Sequence, residues 1–251
     1  MSAGVNGVGL AVPAYVHPSV DPQLWVRLAE AGADVRFVVV NVNSGPGDEL
    51  DPAYPEVVER LRQARVRMVG YVDTDYGRVS VQDVAEQARA WVTRYGVRGV
   101  FLDQVAADLT HLEYYAACAL ACRAAGAQFV VVNPGMNCHP AYAELANVTV
   151  TFEGTWAQYS RYKPSAELLA QPAERFCHLV YDVPAKRVPD AASWAAARHA
   201  GSVFFTDGSG SNPWDRLPPA LLSAAPVPVK QRPPARQTDH ATWGRRRYAV
   251  G

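Results

Sequence analysis

Short, β-branched apolar runs alternate along this chain with segments whose apolar residues return at helical spacing. The first run, Val8–Val16, is followed by a helix over Pro22–Ala33, with Asp21 placed as N-cap and Pro22 at the first helical position. The second strand, Val35–Val42, leads through a Gly/Pro-rich loop, Ser44–Asp51, into a helix near Pro55–Ala64. Strand three is Met68–Val72 with its helix at Val81–Tyr95, and strand four is Gly99–Leu102 with a helix near Leu112–Ala125. Phe129–Val132 and a short helix near Pro140–Leu145 form the fifth pair. Val148–Phe152 and helical stretches between Trp156 and Phe176 form the sixth. Leu179–Tyr181 with Ala191–His199, and Val203–Phe205 with Trp214–Ser223, complete the count.

Eight strand–helix units mean parallel strands with helical crossovers. Runs such as Phe37–Val40 and Phe129–Val132 are apolar without alternation, as strands covered on both faces are. A doubly wound sheet of eight regular units is less common at 251 residues than a closed barrel. The expected fold is therefore an α/β single-domain (β/α)8 TIM-type barrel over residues 1–225. Beyond Ala225 the pattern stops: PVPVKQRPPARQ can neither continue a helix nor join a central strand. Residues 226–251 are expected to form an extended Pro/Arg-rich tail, and its Arg245–Arg247 run to be a solvated charged segment.

Composition narrows the function classes. Apolar residues are 49% and charged residues 19%, enough for a large core. No apolar run reaches the eighteen residues of a membrane span, so no membrane partner is expected. The opening MSAGVNGVGLAVPAYV lacks a basic n-region and reads as the first strand, which predicts a cytoplasmic protein, or a secreted one if a leader has been removed. The net charge of zero divides into +5 after Ala225 and −5 before it. A body of that sign argues against nucleic acid as a partner.

Candidate chemistry lies where strands end, since a barrel builds its site from the loops that follow them. The ends read Tyr15 and His17, Asn41 and Asn43, Tyr71 and Asp73, Asp103 and Gln104, Asn133, Glu153, Tyr181 and Asp182, Thr206 and Asp207. Polar rims converging on one mouth suit a polyhydroxylated ligand. Asp103 follows Val100–Leu102, and Glu153 follows Val150–Phe152. Acids set against apolar strand tips are partly desolvated, which raises their pKa and suits acid/base work. A glycosidic bond needs one carboxyl to protonate the leaving oxygen and a second as nucleophile or base. The plainer reading of each acid is a helix cap or an arginine partner, and Asp182 before Val183-Pro184 shapes a turn.

Other chemistries find less support. None of the three lysines follows a strand tip, against a Schiff-base aldolase. Cys118 and Cys122 lie four apart on one helix as packing residues, and no second Cys/His pair stands at zinc spacing except Cys138-His139. The stretch Asp207-Gly208-Ser209-Gly210-Ser211 has phosphate-loop composition, which also fills ordinary turns. No metal or cofactor is expected.

The segments VPAYVHP, VVVNVNSGPG, MVGYVDTDYG, VRGVFLDQ, EYY, VVVNPG and VTFEG occur in the order and spacing of spherulation-specific family 4, the spherulin-4-like proteins. The resemblance covers Val12 to Glu153 closely and continues more loosely to about Leu217. It implies a (β/α)8 glycoside hydrolase acting on α-1,4-linked galactosamine or N-acetylgalactosamine polymers, with Asp103 and Glu153 as the fourth- and sixth-strand acids. Tyr15, Asn41, Tyr71, Asp73, Gln104, Asn133, Trp156 and Asp207 would bind the carbohydrate substrate, and the protein is expected to act as a monomer. One position departs from the family: its fourth strand usually ends Asp-Glu, and here Gln104 stands second. Glutamine can hold a hydrogen bond but cannot carry charge. That departure keeps open a non-catalytic carbohydrate-binding barrel. The missing leader, with Cys138 in the fifth loop, keeps open an intracellular enzyme of another small polar substrate.

Overall fold

A computed structural model describes residues 7–222, and the expected tail over 226–251 lies outside the described residues. The sheet is one closed parallel barrel with strands in sequence order: β1 (Gly9–Ala14), β2 (Val35–Val40), β3 (Met68–Asp73), β4 (Gly99–Asp103), β5 (Phe129–Val132), β6 (Val148–Thr155), β7 (Phe176–Tyr181) and β8 (Ser202–Phe205). Around it run α1 (Pro22–Ala31), α2 (Tyr54–Gln63), α3 (Val81–Tyr95), α4 (Leu112–Ala124), α5 (Ala141–Leu145), α6 (Trp156–Tyr159), α7 (Ala166–Leu169), α8 (Ala191–Ala197) and α9 (Pro219–Leu222).

Local chemistry sets many of these boundaries. Asp21 caps α1 by accepting from the Leu24 amide at 2.9 Å, with Pro22 inside the first turn. Ser80 caps α3, and Gly96 ends it in the left-handed conformation (φ 68°). The helical stretches expected between Trp156 and Phe176 reduce to two single turns and a 3-10 turn, interrupted at Pro164 and Pro172. The last expected helix, Trp214–Ser223, is corrected to Pro219–Leu222, with Ser223 outside the described residues. Pro218 biases Leu217 away from helical geometry, so the helix starts at Pro219.

Two layers hold the barrel. Within it, Phe37 meets Phe129 and Tyr71 stacks on Phe101. Outside, fully buried Trp25, Trp91, Tyr115 and Tyr142 pack the helices onto the strands. Trp91 is the tightest of these contacts. Its indole N–H donates to the Tyr71 carbonyl at 2.9 Å, and its ring lies flat against Gly70. A Cβ on residue 70 would sit 2.2 Å from the Trp91 ring.

Because both the ring and the strand are fully packed, Gly70→Ala is expected to destabilise the barrel by about 1–3 kcal/mol or more, the usual penalty of overpacking. Urea denaturation checks this; an unchanged midpoint would show that α3 can move away from β3 without loss.

Candidate active site

Parallel pairing tells which side chains share a face. Tyr71 pairs with Phe101 and Asp73 with Asp103, so Tyr71, Asp73 and Asp103 all belong to the inward-facing set. Phe101 pairs with Val131, which puts Asn133, two residues further on, on the same side. Glu153 joins them by a less regular route. β6 runs on through Thr155, and its register against β7 slips at Thr151: Val150 pairs with Cys177, and Phe152 with the next residue, His178. The bulge turns both Thr151 and Phe152 toward the helix layer. There the Thr151 hydroxyl lies 3.2 Å from His178 Nε2, and the Phe152 ring packs on Tyr159 and Tyr162. Strict alternation would have left Glu153 on the face of Thr151; the inserted residue returns it to the barrel mouth.

Asn133 joins the two acids. Its Nδ2 group donates to Asp103 Oδ1 and to Glu153 Oε2, each at 2.6 Å. Two acceptors on one nitrogen can lie no further apart than twice that distance, about 5.2 Å. The backbone secures this arrangement: the Asn133 amide donates to the Leu102 carbonyl at 2.8 Å, and the Asn133 carbonyl accepts from Val105 at 3.1 Å. The Glu153 amide donates to Gly135 at 2.9 Å. Gly135 has φ 66°, and a Cβ there would reach within 3.4 Å of Glu153. The NPG sequence thus forms a strap across β4, β5 and β6.

The two carboxyls differ electrostatically. Burial first, then the charge of Asp103, pushes Glu153 up to about 7, and the Asn133 bond opposes the rise. Burial also raises Asp103, but three hydrogen bonds stabilise its ionised form, from the Tyr71 hydroxyl, the Asn133 side chain and the Gln104 backbone. Tyr71 and Tyr15 are held in the phenol form by burial and by the neighbouring acids. Both carboxyls are thus raised by burial, and hydrogen bonds oppose the rise more extensively at Asp103 than at Glu153.

Gln104 bonds to Asp73 rather than to either acid of the pair. Its side-chain amide donates to Asp73 Oδ2 at 3.0 Å, and the Asp75 amide donates to Asp73 Oδ1 at 2.8 Å. The loop carrying these residues is strained: Asp75, Tyr76 and Gln104 all have positive φ, at 43°, 54° and 51°. Thr74 holds it by donating its hydroxyl to the carbonyls of Asp103 and Gln104, and Tyr76 N–H donates to Gln104 at 2.8 Å.

A cavity of about 300 Å3 lies above the acids, lined by Tyr76, Asp103, Gln104, Asn133, Glu153 and Tyr181 among others. Tyr15 and Asn41 line an adjoining cavity instead, and Tyr71 reaches the site through Asp103. Two expected substrate-binding residues are placed elsewhere. Trp156 packs in the helix layer against Trp194 (4.6 Å) and Phe205 (5.8 Å), because it opens α6 on the outer side of β8. Asp207 is exposed and lines neither cavity. Tyr76 was not among the expected binding residues; its motif, DTDYG, was visible, but its place over the acids follows from the strained turn. Cys138 is buried, with its thiol pushed up to about 12, which does not suit a nucleophile. Among the described residues no helix is long and apolar enough to cross a membrane.

Comparison with known proteins bears on the family and the fold. The model of spherulation-specific family 4 matches residues 9–225. Spherulin-4 of Physarum polycephalum is 27% identical over 213 residues, covering 80% of this chain and 64% of that protein, so the chain spans somewhat under two thirds of that relative's length. The crystal structure of Aspergillus clavatus Sph3 in complex with GalNAc superposes with a TM-score of 0.74 at 24% identity, covering 86% of this chain and 95% of that one, a likeness of fold. With the match running through all eight strands, the chain belongs to spherulation-specific family 4.

Proposed function

We propose that the protein is a glycoside hydrolase that cleaves α-1,4-linked galactosamine or N-acetylgalactosamine polysaccharide by a retaining mechanism. The observation that carries this reading is the Asn133-bridged pair, whose bonded oxygens lie within about 5.2 Å. Retaining enzymes hold their carboxyls roughly 5–5.5 Å apart, and inverting enzymes leave roughly 6.5–9.5 Å for a water. The substrate class rests on the family and on the GalNAc named with Sph3.

In this mechanism Glu153, protonated near neutral pH, gives its proton to the glycosidic oxygen as the bond to the anomeric carbon breaks. Asp103 attacks that carbon from the other face and forms the glycosyl-enzyme ester. Glu153, now ionised, takes a proton from water, which hydrolyses the ester. Hydrogen bonds from Tyr71 and Asn133 favour the ionised form of Asp103 against its burial and aim it.

A second reading, a sugar-binding barrel without turnover, is motivated by Gln104. Its contact with Asp73 favours a supporting role over a lost acid. Asp103→Asn is expected to lower turnover by several powers of ten, and Gln104→Ala only about tenfold, the worth of one hydrogen bond. Reducing-end release from a galactosamine polymer measures both. An inert natural protein that gains activity on Gln104→Glu would establish the binding reading instead.

The pH dependence follows from Glu153. Its folded pKa stands above its unfolded value, so its protonated form is intact at low pH and is lost as pH rises through about 7. The descending limb of kcat/KM is expected near that pH. Glu153→Gln should remove the limb along with roughly 10²–10⁴-fold of the rate. The same variant should be more thermostable than the natural protein above pH 7, where ionising a buried Glu153 destabilises the fold. A limb unmoved by Glu153→Gln would assign the acid elsewhere.

Asn133 is a positioning residue. Asn133→Ala removes the bonds that favour the ionised form of both acids, so the whole pH profile is expected to move upward. Turnover should fall about 10- to 100-fold, the loss of charge-assisted hydrogen bonds. A rate loss with an unmoved profile would mean that Asn133 only packs.

A further inference from the structure

A second set of reactive groups stands outside the acid cavity, where the loop after β1 meets the loop after β2. Three side chains form a relay there. The Ser19 hydroxyl lies 2.7 Å from His17 Nδ1, and His17 Nε2 lies 3.0 Å from Asp51 Oδ2. His17 and Asp51 are 34 residues apart, so the carboxylate arm of the relay is a tertiary contact.

The hydrogen bonds fix the proton positions. The Ala53 amide donates to Asp51 Oδ1 at 2.9 Å, and that bond, with the one from His17, holds the Asp51 carboxyl below its usual range. The carboxylate therefore accepts, and the His17 proton sits on Nε2. On the other side of the ring, the Ser19 amide donates to Nδ1 at 3.2 Å, which requires a lone pair there. Nδ1 is thus the basic nitrogen of a neutral imidazole, and the Ser19 hydroxyl donates to it. Tyr54 packs edge-on to the ring at 5.4 Å, and the Asp51 amide donates to the Tyr95 hydroxyl at 3.0 Å. A hydroxyl, a base and a group that orients the base are the parts that acyl transfer needs.

Ser19 also lines a cavity of its own. About 390 Å3 lies between α1 and α2, with Pro18, Pro22, Trp25, Val26 and Val57 as its apolar wall. Such a wall suits an acyl chain. Its one carboxylate, Glu56, is paired with Arg60 at 3.0 Å. The indole N–H of fully buried Trp25 has no hydrogen-bond partner among the described residues. That indole, Gln23 and Arg60 are the donors this wall offers to an oxyanion.

We propose that this cavity is a second hydrolytic site, for esters of short apolar acyl chains, with Ser19 as nucleophile, His17 as its base and Asp51 as the residue that positions His17. Ser19 Oγ attacks the ester carbonyl carbon while its proton passes to His17 Nδ1. The bond from that carbon to the alcohol oxygen then breaks, and the alcohol leaves with the proton. Water attacks the acyl-serine and gives a proton to Nδ1. The carboxylic acid departs as Ser19 takes that proton back. One ester and one water become one acid and one alcohol, and neither Asp103 nor Glu153 takes part.

The natural protein is tested with p-nitrophenyl butyrate, which has no glycosidic bond, and with a fluorophosphonate, which labels activated serines. Labelling of Ser19, located by mass spectrometry, is expected. Nitrophenol release should fall on the order of 10²–10⁴-fold in Ser19→Ala and in His17→Ala. Ser19 is exposed, so its substitution leaves the barrel core intact. Asp51→Asn should lower kcat with KM unchanged, and Asp51→Glu should restore part of the loss. A label found elsewhere or not at all, nitrophenol release unchanged by Ser19→Ala, or Asp51→Asn without effect overturns the proposal. The acid pair stands or falls separately, on reducing-end release.

Discussion

Everything at the mouth of this barrel depends on one carboxamide held between two carboxyls. Two acids brought within about 5.2 Å in a partly desolvated pocket repel each other once both ionise. The Asn133 NH2 group supplies a donor to each and leaves its own oxygen buried without a protein partner. That unsatisfied oxygen is a real cost. It follows from using both N–H bonds on the acids, and the NPG strap absorbs it by fixing the Asn133 backbone to β4.

The fold supplies the rigidity that such a pair demands. β6 places Glu153 because Thr151 is an extra residue in its pairing with β7. The displaced Thr151 and Phe152 are used in the helix layer, where His178 bridges the Tyr159 and Thr151 hydroxyls. Burial drives the His178 pKa down to about 3, so this imidazole stays neutral at the pH where Glu153 titrates. A bulge thus joins a packed outer layer to the inward-facing acids. Neither Thr151 nor His178 lines the cavity, yet the slip at Thr151, which His178 bonds, sets the face of the glutamate.

Asp73 completes the electrostatic pattern. It stands beside Asp103 in register, and its charge raises Asp103 further. Gln104 and the Asp75 amide satisfy its two oxygens. A glutamate at residue 104 in this geometry would add a fourth carboxyl, 3.0 Å from Asp73, where like charges oppose ionising both. Glutamine avoids that repulsion and satisfies Asp73 as a neutral donor. The strained turn through Asp75 and Tyr76 then sets an aromatic ring at the rim of the same cavity.

The sequence by itself determined the eight-unit barrel, because hydrophobic period and turn chemistry are local and every unit repeats them. It also marked Asp103, Glu153 and Asn133, because polar residues ending apolar strands are conspicuous in a one-dimensional pattern. It placed Trp156 in the cleft, where the packing of α6 on β8 puts it in the outer layer. It counted Glu153 as lying past the end of a strand, whereas β6 continues to Thr155 and the bulge at Thr151 decides its face. Pairing across strands, the sharing of one amide between two acids, and the direction of Gln104 toward Asp73 are contacts between residues about 20 to 31 apart. Only the closed barrel brings such residues into register, so only the tertiary structure decided that the two acids share one amide and that Gln104 bonds to Asp73.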